Sequence, residues 1–82
     1  MDKLNDITDM VKANVKLMVD LPEYVIVKCL PIEGGASIQV AVATADLGKI
    51  IGRQGRTARA LRVLVTAMGM TAKLKITLDI RE

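Results

Sequence analysis

The chain has 82 residues, enough for one domain with a single modest core, and 51% of them are hydrophobic. It has one cysteine, Cys29, and no histidine, so an internal disulfide is excluded and neither zinc binding nor histidine-based catalysis is expected. The net charge is +3, but residues 1–46 carry four basic and seven acidic side chains, whereas residues 47–78 carry seven basic and no acidic ones. A segment with this charge is typical of a surface that binds a polyanion.

The sequence predicts neither a targeting segment nor a membrane span. The first residues mix charges, and no stretch approaches the roughly 20 apolar residues needed to cross a bilayer. We therefore expect a cytoplasmic protein that consists of one domain, residues 1–82, and that binds no cofactor or metal. We also expect no enzymatic activity, because the hydroxyls of Ser37 and Thr57 have no candidate base in the sequence pattern.

The chain begins with a pattern for a helix followed by a strand. Apolar residues recur at three- and four-residue spacing across residues 2–19, which predicts an amphipathic helix with Asp2 as a candidate N-cap. Residues 24–32 alternate as a strand does, with Cys29 as a small core residue. Pro31 cannot donate a ladder hydrogen bond, which favours an edge position for this strand.

The middle of the chain predicts a hairpin and a short helix. Residues 33–35, Glu-Gly-Gly, favour a tight turn. Residues 36–43 then alternate cleanly and predict a second strand with one face toward the core. A short helix is expected over residues 46–51, with Thr44 or Asp46 as its cap.

The last third predicts a longer helix and a final strand. The helix is expected to span residues 56–68 and to end at Gly69, which is a common residue just after a helix. Its expected core face consists of Thr57, Leu61, Leu64, Val65 and Met68. Residues 73–80 alternate throughout, which predicts a strand with one face in water.

The resulting order is α-β-β-α-α-β. Three strands with one apolar face and three helices to cover it define a two-layer α+β fold. Because a helix pair joins the second and third strands, these two strands should be parallel and the three-stranded sheet should be mixed.

Residues 49–62, K-I-I-G-R-Q-G-R-T-A-R-A-L-R, hold the most informative pattern in the chain. Gly52 and Gly55 bracket a polar pair, and glycines permit a tight turn and the close approach of a ligand. Gly48, four residues before Gly52, is interpreted as a small residue that allows helices to approach closely. A helix that starts after Gly55 would have unpaired N–H groups at its first turn, which suits a bound anion. The stretch therefore predicts a phosphate-binding turn between two helices.

This stretch resembles the signature of the KH (K-homology) family, in which an I-G-x-x-G sequence lies between two helices. The matching residues are Ile51, Gly52, Arg53, Gln54 and Gly55. The element order resembles the type II, prokaryotic-style KH arrangement, and the whole chain resembles one small bacterial family of stand-alone KH proteins, the KhpA family.

The resemblance implies that the chain binds single-stranded RNA. Arg53 and Gln54 stand where family members contact phosphate and sugar, and basic residues on both sides would add electrostatic attraction. An apolar groove for the bases would be lined by Ile50, with Leu47 and with Ile38 or Val40. The expected RNA-binding residues are Lys49, Ile50, Gly52, Arg53, Gln54, Gly55, Arg56, Arg59 and Arg62.

Small apolar residues on the helix after the glycines predict a second surface. Ala60, Val63 and Ala67 share one side of the helix, beside Leu64, and suit close contact with a second helix. The resemblance implies homodimers, a KhpB (Jag/EloR)-like partner with its own KH domain, and a role as an RNA chaperone or post-transcriptional regulator linked to cell elongation and cell-wall homeostasis. Two alternatives stay open: a protein-interaction module that meets an acidic partner, and a KH-like ribosome-assembly factor.

Overall fold

A computed structural model describes residues 3–81, and these residues form a three-stranded sheet with helices packed on one face. The helices and strands are α1 (Lys3–Met18), β1 (Ile26–Ile32), β2 (Gly35–Ala41), α2 (Leu47–Ile51), α3 (Arg56–Thr71) and β3 (Lys75–Arg81). The predicted order is therefore confirmed, while the candidate cap Asp2 lies outside the described residues. Within residues 3–81, the helices are too short or too polar to cross a membrane.

The sheet is mixed, as the helix connection between the second and third strands predicts. The strand order is β1-β2-β3, with β1 antiparallel to β2 and β2 parallel to β3. β1 is an edge strand, in agreement with the position of Pro31. It begins two residues later than predicted, because Pro22–Tyr24 form one 3-10 turn before it.

The core lies between the inner sheet face and the helices. α3 contributes residues at spacings of three and four that point at the sheet, and Ala58 is one of them. Leu64, predicted to be a core residue, is 47% exposed, because it lies on the side of α3 that faces away from the sheet. The buried apolar residues are Ile7, Val11, Val15, Val25, Ala36, Ile38, Val40, Val42, Ile50, Ala58, Leu61, Val65, Ile76 and Leu78.

The end of α3 differs from the prediction. The helix continues through Gly69 to Thr71. Gly69 is buried, and a Cβ there would lie 2.7 Å from the backbone oxygen of Leu74. Lys73 takes the left-handed conformation that ends the helix, with φ of 59°. Its N–H donates to Met70 O at 3.0 Å, and Leu74 N–H donates to Gly69 O at 2.8 Å, which completes a Schellman motif.

Candidate nucleic-acid interface

The glycine turn (residues 52–55) joins α2 directly to α3. Gly52 N–H donates to Gly48 O at 2.9 Å, and Gly55 N–H donates to Gly52 O at 3.1 Å. Gln54 and Gly55 are both left-handed, with φ of 57° and 75°. Two consecutive left-handed residues reverse the chain within one turn, so the predicted tight connection between two helices is confirmed.

The two glycines serve different steric purposes. A Cβ on Gly52 would lie 2.7 Å from the Cβ of Thr57, so the first turn of α3 fills the space that the missing side chain leaves. A Cβ on Gly55 would meet no atom within 4 Å, and the same holds for Gly48. The position that a Cβ would take is therefore open at Gly55, whereas Thr57 occupies it at Gly52. Gly48 does not serve close helix packing, contrary to the sequence-based interpretation.

Three arginines surround Gln54 in different ways. Arg56 Nη2 donates to Gln54 Oε1 at 3.5 Å, and Arg59 Nη2 donates to the backbone oxygen of Gln54 at 3.4 Å. The side chain of Arg53 is exposed and makes no hydrogen bond or ion pair with another residue in the range 3–81. The first turns of α3 thus hold Gln54 in its left-handed conformation and leave the Arg53 guanidinium in solvent.

Arg62 belongs to the same predicted RNA-binding set, but its side chain binds the sheet. Its Nε donates to the backbone oxygen of Leu78 at 3.3 Å. Lys75 N–H donates to Gly34 O, and Arg81 O accepts from Val42 N–H, at the two ends of the β2–β3 pair. The backbone groups of odd-numbered residues in β3 therefore point toward β2, and those of even-numbered residues point away from it. The carbonyl of Leu78 therefore faces the outer edge of the sheet, and Arg62 covers it.

Lys49 is held by two carboxylates. Its Nζ lies 3.1 Å from Asp20 Oδ2 and 3.3 Å from Asp46 Oδ1. Asp46 is buried, with 1% exposure, and accepts hydrogen bonds from the backbone N–H groups of Asp20 at 3.2 Å and Leu21 at 2.9 Å. Its carboxylate therefore anchors the loop after α1 to the start of α2.

Asp46 occupies the N-cap position of α2, as predicted, but its side chain does not cap the helix. Neither Thr44 nor Asp46 makes a side-chain capping hydrogen bond, because the Asp46 carboxylate faces the loop after α1. Sequence patterns did not reveal this anchor. One signal was present: Asp46 is the single acidic residue between positions 34 and 78.

The ion pair and the backbone donors shift both pKa values. Burial alone would raise the pKa of Asp46, but hydrogen bonds from Asp20 N–H, Leu21 N–H and Lys49 outweigh it and hold the pKa below its usual value. The hydrogen bond to Asp20, followed by that to Asp46, raises the pKa of Lys49. Both groups are thus charged at neutral pH.

The predicted apolar groove for bases is not present as described. Ile50, a residue of α2, is fully buried, and Ile38 and Val40 in β2 are buried as well. Their side chains therefore do not reach a ligand at the surface. The prediction of Ile50 as a contact residue is therefore wrong for its side chain. Ile51 is exposed and Leu47 half-buried, which makes them the apolar side chains of α2 that remain accessible.

The small apolar residues on α3 lie on its solvent-facing side. Val63 is 65% exposed, and the apolar strip (Ala60, Val63, Leu64 and Ala67) lines a shallow groove that Arg56 and Arg59 close at one end. Met70, which the sequence interpretation did not include, is exposed and extends this surface toward the end of the helix.

A mixed three-stranded sheet with helices on one face, together with a glycine turn between two helices, defines the chain as a KH domain. Residues 8–80 match the family model described as "KhpA/KhpB, KH domain", and the chain belongs to that family. It is not an enzyme family.

Several curated relatives carry the name "RNA-binding protein KhpA". The chain is 38% identical to the protein from Aquifex aeolicus (strain VF5), over 96% of this chain and 100% of the relative. It is 36% identical to that of Listeria monocytogenes serovar 1/2a, over 90% and 97% of the two chains, and 42% identical to that of Treponema pallidum (strain Nichols), over 79% and 81%. The comparison with solved structures gave no match.

Proposed function

We propose that this chain binds single-stranded RNA through the glycine turn and the first turns of α3. The proposal rests on the exposed guanidinium of Arg53, which projects from a rigid turn without a protein partner in the described chain. Arg56 and Arg59 place two more cations beside it. The names of the relatives support RNA as the polyanion.

The chemistry of the turn supports recognition of the backbone of the strand. Arginine side chains and the N–H groups at the start of α3 suit phosphate oxygens. The described residues include one aromatic side chain, Tyr24, which precedes β1 and lies far in sequence from the turn. Base stacking on aromatic rings therefore contributes little, and the proposed complex depends on phosphate contacts and on shape.

Replacement of Arg53 and Gln54 by aspartate tests the site. The double variant changes the charge by −3 and should abolish binding to a fluorescently labelled single-stranded RNA in an anisotropy titration. Asn5→Asp with Lys12→Asp on the exposed side of α1 changes the charge equally and should bind nearly as wild type does. Equal affinity of wild type and the Arg53→Asp/Gln54→Asp variant, with native circular dichroism, would reject the site.

We further propose that the apolar strip on α3 pairs with the same strip of a second copy, or with a KhpB (Jag/EloR)-like protein. Exposed apolar side chains gain about 25 cal/mol per Å² when they leave water. Small residues also allow two helices to approach closely. Pairing would join two glycine turns in one assembly, which raises the avidity for one RNA strand.

Sedimentation of variants tests the pairing. Val63→Glu should yield folded monomers at concentrations where wild type is dimeric, because a carboxylate would be buried against a second helix. Leu17→Glu is the matched control, since Leu17 is 87% exposed on α1. A wild type that is monomeric at high protein concentration, or a dimeric Val63→Glu variant, would exclude the strip as a homodimer interface.

The cellular role that follows from this proposal is RNA chaperoning or post-transcriptional regulation in the cytoplasm, linked to cell elongation and cell-wall homeostasis. Crosslinking of the tagged protein in cells, followed by sequencing of the attached RNA, tests it. Recovery of ribosomal RNA alone, with co-sedimentation on ribosomal subunits, would favour a ribosome-assembly factor instead.

A further inference from the structure

Lys49 is the one basic residue of the predicted RNA-binding set that the structure pairs with carboxylates within residues 3–81. Asp20 Oδ2 and Asp46 Oδ1 lie 3.1 and 3.3 Å from its Nζ. Two carboxylates and one ammonium leave a local charge of −1 next to the turn, where the sequence pattern predicts a positive one. The Lys49 side chain is nevertheless 45% exposed, so a phosphate group can reach it from solvent.

The two carboxylates hold Lys49 in unequal ways. Asp46 is buried and receives two backbone N–H groups, so its position is fixed by the fold. Asp20 is 76% exposed, and its carboxylate contacts Lys49 from the solvent side. One of those N–H groups belongs to Asp20 itself, so Asp46 also fixes the backbone from which the Asp20 carboxylate reaches Lys49.

We propose that Asp20 masks Lys49 from nucleic acid, so that Lys49 makes no phosphate contact in wild type while the Asp20 carboxylate is bound to it. The inference rests on the proposed RNA-binding function. An exposed ion pair between carboxylate and ammonium contributes little free energy, so the release of Lys49 should change the affinity only severalfold. The loop after α1 thereby sets the affinity of a site that lies on α2, the turn and α3.

Removal of the Asp20 charge tests the mask. Asp20→Asn should bind labelled single-stranded RNA about two- to fivefold more tightly than wild type. The slope of log K against log salt should steepen by about 0.7, which corresponds to one more phosphate contact on a single strand. Asp20→Ala, which also removes the hydrogen-bond acceptor, should behave in the same way.

Glu23→Gln is the matched control, since it removes one exposed negative charge from the same loop and Glu23 has no ion pair in the range 3–81. It should leave the salt slope unchanged. Lys49→Met should not alter the slope in wild type but should abolish the gain in the Asp20→Asn background. If Asp20→Asn binds no better than Glu23→Gln, or binds more weakly than wild type, the mask is rejected.

A measurement without RNA separates this inference from the proposed function. Acetylation by an amine-reactive reagent, followed by mass spectrometry, should be slower at Lys49 than at exposed Lys28 in wild type, and Asp20→Asn should accelerate it. Equal acetylation rates at both lysines in wild type would show that the ion pair between Lys49 and Asp20 is not maintained in solution. The proposal that Asp20 masks Lys49 would then be rejected. If neither wild type nor Asp20→Asn binds RNA, the proposed function fails and the masking role fails with it.

Discussion

Arg62 donates from Nε to the backbone oxygen of Leu78 at 3.3 Å and so joins α3 to the outer edge of β3. Arg53, nine positions earlier, has no such partner in the described chain. Two arginines of one basic segment thus differ in what they contact, and their removal should have different consequences.

Arg62→Met should lower the free energy of unfolding by about 0.5–1.5 kcal/mol, the usual net contribution of one hydrogen bond. Methionine keeps most of the aliphatic stem, so the loss reports the bond to Leu78. Arg53→Met should leave stability unchanged within about 0.5 kcal/mol, because the Arg53 guanidinium bonds to no other described residue. Urea denaturation measures the free energy of unfolding of both variants, and equal values would contradict the structural role of Arg62.

The two glycines of the turn should differ in their tolerance of a methyl group. Gly52→Ala should cost about 2–5 kcal/mol, because φ of 76° with ψ of 174° is open to glycine alone and the new Cβ would meet Thr57. Gly55→Ala keeps a left-handed conformation in open space and should cost only about 1 kcal/mol. Thermal or chemical unfolding gives both values, and a larger loss at Gly55 would contradict the assignment.

Lys73→Gly should stabilise the protein by about 0.5–1 kcal/mol, because Lys73 occupies the left-handed position of the Schellman motif, where glycine has no Cβ penalty. Lys73→Ala is the control, since it removes the same charge but keeps the Cβ. A gain in unfolding midpoint for alanine equal to that for glycine would assign the effect to charge and not to backbone conformation.

Asp46→Asn should destabilise the protein most at neutral pH. Folding lowers the pKa of Asp46, so its charged form contributes stability that is fully present above the pKa of an aspartate in the unfolded chain. That contribution is lost as the pH falls through the lower pKa of the folded state, and the stability difference between wild type and Asp46→Asn should therefore shrink in acid. Urea unfolding of both proteins, from pH 7 down to the lowest pH at which they still fold, measures this difference in unfolding free energy. A difference that does not change with pH would contradict the role of the charged Asp46 carboxylate as an anchor.

Much of the fold was predictable because hydrophobic spacing follows the period of each element. The strand pairing followed from the order of the elements, since a helix pair between β2 and β3 requires them to be parallel. The end of α3 was not predictable, because Lys73 adopts a conformation for which Gly69 was the obvious candidate in the sequence. Gly69 serves a different purpose, the close approach of the segment before β3.

The backbone of the glycine turn was predictable from the sequence, whereas the contacts of the side chains around it were less so. The I-G-x-x-G pattern placed the turn between two helices because the glycine positions follow local backbone geometry. Arg62 contacts Leu78, Asp46 contacts the backbone of Leu21, and Lys49 contacts Asp20 as well as its neighbour Asp46. Leu78, Leu21 and Asp20 lie 16 to 29 positions away from these partners in the chain, which no local pattern encodes. Burial of Ile50 likewise depends on how α2 meets the core, which spacing alone leaves open.

The hydrogen bonds from Arg56 and Arg59 to Gln54 have a thermodynamic consequence. They fix the glycine turn before any ligand arrives, so the protein loses little conformational freedom when a strand binds. The entropic cost of the proposed complex then falls on the RNA, which passes from a flexible chain to an ordered one. Calorimetry should accordingly show a small heat-capacity change, because preorganised polar contacts bury little apolar surface of the protein.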